Sequence, residues 1–130
     1  MIKKKLLASV AVLAMMSMMP AGNVMTREGK TTIINTTSLA RDVEGYNGQT
    51  PLKIYIENNK IVKVEALPNN ETPKYFAKVK KNLLVKWVDM PVNKAAKAKI
   101  DGVTGATFSS KAVKENVKRG VQYYKKNKKH

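Results

Sequence analysis

From Leu52 to Ala66 the chain alternates apolar and polar residues through two consecutive runs, and no other stretch limits the fold so tightly. Leu52, Ile54 and Ile56 alternate with Lys53, Tyr55 and Glu57; Val62, Val64 and Ala66 alternate with Ile61, Lys63 and Glu65. A period of two is the pattern of half-buried strands, and the Asn58-Asn59 pair between the runs marks a hairpin. Residues directly opposite each other in a hairpin share a face. A two-residue Asn58-Asn59 turn sets Ile54 against Lys63 and Leu52 against Glu65, mixing apolar with charged. A three-residue loop of 57–59, with Asn59 in the left-handed region, sets Ile54 against Val62 and Leu52 against Val64. The three-residue loop is therefore the expectation.

The rest of the chain supplies one more strand and two helices. Lys30 to Asn35 is β-branched, and Gly45 to Pro51 is dense in turn formers. Thr72 as N-cap and Pro73 at the first helical position open a helix over about 73–88, with Phe76, Val79, Leu83 and Trp87 on one face. Trp87 continues that stripe and is read as core, and Asn82 is a point at which the helix can divide. Pro91 stops it, because a proline disfavours helical geometry in the residue before it; Asn93 to Lys99 has no strong stripe. A last helix over about 109–125 starts near Ser109-Ser110 and carries Val113, Val117, Val121 and Tyr124 on one face. Strands followed by helices predict a small α+β domain: an antiparallel sheet, made of the 52–66 hairpin and an earlier strand, packed with the two helices. A length of 130 residues leaves room for one such domain.

Ahead of it, Met1 to Lys5 is basic and Leu6 to Met19 is uncharged and apolar, followed by Pro20-Ala21-Gly22. This is the pattern of a secretory signal over residues 1–22, short of the ~20 apolar residues a membrane span needs. The expectation is export, to a periplasm or the outside, with no transmembrane span in the mature chain.

Composition removes whole classes of chemistry. The chain has no cysteine and a single histidine, at position 130, which excludes thiol nucleophiles, Cys-ligated metals and most imidazole catalysis. No metal site is expected, and any redox chemistry falls to an organic cofactor. The net charge of +16 is uneven: residues 23–73 balance six basic against six acidic residues, while 74–130 carry sixteen basic against three acidic. Such a surface favours anionic partners.

The segment Asp101-Gly102-Val103-Thr104-Gly105-Ala106-Thr107-Phe108-Ser109-Ser110 lies immediately upstream of the last helix. Gly105 permits a sharp turn, Ala106 leaves space, and the hydroxyls of Thr107, Ser109 and Ser110 fall where a helix exposes unpaired N–H groups. On these residues alone the segment serves as a turn with a serine cap or as a phosphate site, the latter with the Lys111 and Lys114 cations nearby.

Residues 101–107 match, position by position, the Asp-x-x-(Ser/Thr)-Gly-Ala-Thr flavinylation motif, and through it the chain resembles the FMN-binding domain family, which includes soluble domains of the sodium-translocating NADH:quinone reductase and Rnf complexes. The resemblance runs from about Val43 to Tyr124. Gly45-Tyr46-Asn47-Gly48 with Pro51-Leu52-Lys53-Ile54 is similar to the family's glycine-rich turn and the strand after it, and Glu71-Thr72-Pro73 is similar to its Glu-Thr-Pro-Gly segment, with Lys74 where glycine is usual.

The resemblance implies FMN joined through its phosphate to the hydroxyl of Thr107 by an FMN transferase, with Asp101 recognised by the transferase and Thr104, Gly105 and Ala106 shaping the loop. Ser109, Ser110, Tyr46, Glu71 and Thr72 complete the expected cofactor-binding set, although Tyr46 also suits simple packing and Glu71 and Thr72 also suit helix capping. It further implies an electron carrier serving a redox protein or a quinone-linked, membrane-associated chain, rather than a stand-alone enzyme. Residues 23–42 then form an N-terminal extension with a strand, 43–126 the FMN-binding domain and 127–130 a basic tail. Two alternatives stay in view: noncovalent FMN binding, and an exported basic protein for anionic polymers without cofactor. Nucleic acid is not an expected partner.

Overall fold

The computed structural model describes residues 24–128; the expected leader and the last two residues of the tail lie outside them. Four antiparallel strands, β1 (Met25–Glu28), β2 (Thr31–Asn35), β3 (Leu52–Glu57) and β4 (Lys60–Ala66), form one sheet in sequential order. Three helices follow: α1 (Pro73–Asn82), the short α2 (Val92–Ala95) and α3 (Thr107–Asn127), with a 3-10 turn at Leu84–Trp87 between the first two. The α+β class is as the sequence predicts.

The hairpin departs from expectation. Glu57 pairs with Lys60 across a two-residue Asn58-Asn59 turn whose residues sit at φ 51° and 59°, a mirror-image turn that suits the twist of the flanking strands and that asparagine tolerates. The clash of apolar with charged positions is avoided by a bulge instead of a longer loop. Ile56 faces Ile61, Tyr55 faces Lys63, and Val62 is the extra residue between. Each side of the bulge thus has its own parity. Ile61 joins the core beside Ile56, while Val64 faces Ile54 and Ala66 faces Leu52. One extra residue lets both halves bury their apolar side. β1, which the sequence pattern did not mark, pairs with β2 through a turn at Gly29, where φ is +62°.

α1 ends at Asn82, as the sequence allows, and the chain continues into the 3-10 turn that buries Leu84 and Trp87. Thr72 stands at the N-cap position of α1, but its hydroxyl caps nothing; its carbonyl accepts from Tyr75 and Phe76. Pro91 opens α2. α3 starts two residues earlier than expected and lays Val113, Val117, Val121 and Tyr124 on Ile34, Leu52, Ile54 and Ile56.

Two residues set how closely α3 approaches the sheet. A Cβ on Gly120 would lie 2.6 Å from Ile54 Cδ1 and 3.1 Å from Thr36 Cγ2, so side chains of the sheet pack directly against the helix backbone there. One turn earlier, buried Asn116 accepts from the Thr36 hydroxyl and donates to Ala112 O and, at 3.4 Å, to Thr50 Oγ1. Thr36 Oγ1 in turn accepts from the Leu52 N–H at 2.9 Å. A buried polar network whose members are all paired fixes one register of α3 on the sheet.

Overfilling this contact gives a direct test. Gly120→Val should destabilise the fold by roughly 2 kcal/mol, because the branched side chain has no room against Ile54. Urea denaturation followed by Trp87 fluorescence reads the change, and an unaltered midpoint would refute the close packing.

Candidate functional site

The site forms where three distant segments meet at the N-terminal end of α3. The first is the turn at 45–48, closed by the Gly45 N–H donating to Gly48 O at 2.7 Å, with Gly48 at φ +138°. The loop before it is tied to α3 by Arg119, which donates to Asp42 and to Leu39 O. Hydrogen bonding to Arg119 holds the Asp42 carboxyl below its ordinary range. The second segment is the lead into α1, carrying Glu71 and Thr72, and the third is the first turn of α3.

Glu71 joins them. It is only 4% exposed, and its carboxylate accepts from the N–H groups of Tyr46 and Asn47 at 2.8 and 2.6 Å and from the Ser109 hydroxyl. A buried carboxylate demands such partners. The space is just large enough: a Cβ on Gly45 would sit 2.3 Å from Glu71 Oε1. Any side chain there would displace the carboxylate.

The start of α3 is shaped by its preceding loop. Gly105 takes φ +87°, open to glycine, and Ala106 is the N-cap residue with no side-chain cap. Ser110, buried, accepts from the Val103 N–H at 2.9 Å, and a Cβ on Gly102 would press on Ser110 Cβ at 2.9 Å. Lys114 donates to Ile100 O at 2.9 Å. The loop is thus held from beneath. Both serine hydroxyls and the Lys114 ammonium are committed to the protein itself, whereas Thr107, the first residue of the helix, is exposed.

Between these segments lies a cleft of about 340 Å³, lined by Tyr46, Thr72, Tyr75, Gly105, Ala106, Thr107, Phe108 and Ser109, within the size range of small-ligand sites. Tyr46 and Phe108 are 70% and 61% exposed, and their rings stack with centroids 6.4 Å apart and planes at 30°. Large aromatic side chains left this open need a reason. Of the residues singled out by sequence, Tyr46, Thr72, Gly105, Ala106, Thr107 and Ser109 line the cleft and Glu71 lies beneath it. Ser110 is turned inward, Thr104 is exposed outside the lining, and Asp101 borders a separate groove with Trp87, Lys99 and Lys111. Sequence reasoning did not single out Phe108 or Tyr75. Phe108 directly follows Thr107 and was legible as an apolar residue out of phase with the buried stripe of α3; Tyr75 sits one residue off the buried stripe of α1.

This arrangement suits a flat, phosphorylated cofactor. The N–H groups of Thr107, Phe108 and Ser109 precede the first intrahelical bond and have no side-chain cap, and the first turn carries no acidic residue. They offer an anion three donors and the positive end of a 21-residue helix, while the aromatic rings beside them offer faces for stacking. The fold and site are those of a small cofactor-binding α+β domain. A family model described as FMN-binding domain matches residues 45–122, from the glycine turn through most of α3, and the chain belongs to that family, which makes FMN its cofactor. No curated protein and no solved structure matches the chain.

The Glu71 junction can be tested without cofactor. In Glu71→Gln an amide NH2 must face at least one of three donors, so stability should fall by about 2 kcal/mol. Amide exchange at Tyr46 and Asn47 should accelerate in parallel. Wild-type stability and exchange in the variant would show that the turn does not depend on the carboxylate.

Proposed function

We propose that the chain is an exported electron carrier in which FMN is linked through its phosphate to the Thr107 hydroxyl by an FMN transferase. The observation that carries this reading is the position of Thr107: exposed, first in α3, on the wall of an aromatic cleft and beside uncapped N–H donors. Those donors and the helix dipole stabilise phosphate charge. Gly105 and Ala106 keep the approach free of bulk, and a Cβ at Gly105 would meet nothing within 4 Å. Tyr46, Tyr75 and Phe108 supply ring faces, and Glu71 holds the Tyr46 turn against α3. When bound, FMN supplies reversible electron transfer through its isoalloxazine ring, which attachment through the phosphate leaves free.

The openness of the cleft supports a covalent link. Rings as exposed as Tyr46 and Phe108 cannot enclose a ligand, and outside the cell, where FMN is dilute, mass action strips a loosely held cofactor. A bond to Thr107 removes that loss. Asp101, exposed on the flank of the loop, is accessible to a transferase. With no second nucleotide motif in its length, the chain exchanges electrons with another redox protein or a quinone-linked chain through a small, transient interface.

Coexpression with an FMN transferase in an exporting host tests the reading. After denaturation, intact mass should rise by one FMN less one water and the band should fluoresce as flavin; Thr107→Ala should lose both and Thr107→Ser should keep them. Flavin that leaves on denaturation would replace this reading with noncovalent FMN binding. Colourless, unmodified protein beside an active transferase would sink the carrier function.

A further inference from the structure

On the α1 side of the cleft the charge is all positive. α1 contains no acidic residue, and Lys74, Lys78 and Lys81 follow one another at helical spacing on its exposed face. Among the described residues the ion pairs are Lys30–Glu57, Arg119–Asp42 and Arg119–Glu115, so none of these three lysines is neutralised. Two of them are gathered at the cleft. Lys74 Nζ and Lys78 Nζ lie 5.8 and 6.0 Å from the ring centroid of Tyr75, which is 43% exposed and lines the cleft wall. The carboxylate beneath the cleft, Glu71, is buried and faces its own donors.

We infer that this α1 ridge, Lys74 and Lys78 on Tyr75 with Lys81 behind them, is the docking surface for an acidic face of the redox protein with which the domain exchanges electrons. The inference rests on the electron-carrier reading. A protein partner must approach the mouth of the cleft, and there the α1 side presents cations on an aromatic platform. Opposite charge steers such an encounter and fixes its orientation. Redox encounter interfaces are the smallest specific ones, below about 1,200 Å², so one helix face beside the cofactor is sufficient. A free anionic polymer has no need of the cleft edge; it would use lysines wherever they lie, including Lys94 and Lys97 in and after α2, which do not line the cleft.

The test uses oxidised flavodoxin, an acidic electron-transfer protein, as the probe and basic cytochrome c as its opposite, with binding at low ionic strength followed by amide NMR. Flavin-loaded chain and its Thr107→Ala form are both measured. Docking is thereby read apart from flavin attachment, and failure here is distinguishable from failure of the mass test. Flavodoxin should shift amides of residues 74–81 and of the cleft mouth, and cytochrome c should not. Lys74→Glu with Lys78→Glu should weaken binding by about tenfold, and Lys74→Gln with Lys78→Gln by less, with added salt erasing the difference. Lys94→Glu with Lys97→Glu, an equal change in net charge, should alter binding less than about twofold. Equal weakening by both glutamate pairs, or shifts centred on α2 or α3, would overturn the inference. So would polyphosphate binding across all the lysines with flavodoxin leaving the amides unmoved, which assigns the basic surface to an anionic polymer.

Discussion

The buried carboxylate of Glu71 is the constraint on which the site depends. It gathers two backbone N–H groups from the 45–48 turn and one hydroxyl from the first turn of α3, segments that the chain brings together only after completing its sheet. Burying a carboxylate without donors costs several kcal/mol, so the turn, the lead into α1 and α3 must settle as one unit. Tyr46 has its place in the cleft because its own N–H is held, while its ring remains free. Gly45 is the matching sacrifice of a side chain, since any Cβ there would fall on the carboxylate.

That junction works only if the helix end is in the right place, and the sheet decides this further along α3. Gly120 brings α3 onto Ile54 and Thr36, and Asn116 ties it to Thr36 and Thr50 just before β3. Thr36 and Thr50 bracket the loop that carries the glycine turn. The contact that sets helix register is therefore also an anchor for the loop facing the helix N-terminus, although none of its residues lines the cleft.

Much of the fold was legible locally. Period two gave the hairpin, period 3.6 gave both long helices, and Asn82 marked the division of the first. The bulge at Val62 was not legible, because counting residues across a turn treats register as continuous, whereas the strand changes parity midway to bury Ile61 as well as Val64. β1, at Met25–Glu28, was missed because an edge strand with mostly exposed residues has no apolar alternation to read. At the site, the glycine, alanine and threonine of the loop were readable as a turn before a helix, but the tasks of Ser109 and Ser110 were not. Their hydroxyls are claimed by Glu71, 38 residues away, and by the backbone of Val103. Such partners exist only in three dimensions. Tyr75 was hidden for the same reason: its position on α1 is unremarkable until α3 lies opposite.

Several of the local rules that the domain breaks are broken together at the start of α3. α3 begins behind alanine, a poor cap that leaves about 1 kcal/mol of helix stability unrealised relative to serine or aspartate. Beside it, Phe108 and Tyr46 expose rings that a purely structural sequence would bury, and Gly105 holds a left-handed turn. Lysines crowd onto Tyr75 with no acid to balance them. Each is a small local loss, and further along α3 the buried polar groups of Asn116 and Thr36 are paired. Breaks in level-by-level agreement that gather at one cleft are expected where a chain has given that place to a ligand. Here the donors, rings and cations left open are the ones that a phosphorylated aromatic cofactor and an anionic partner would use.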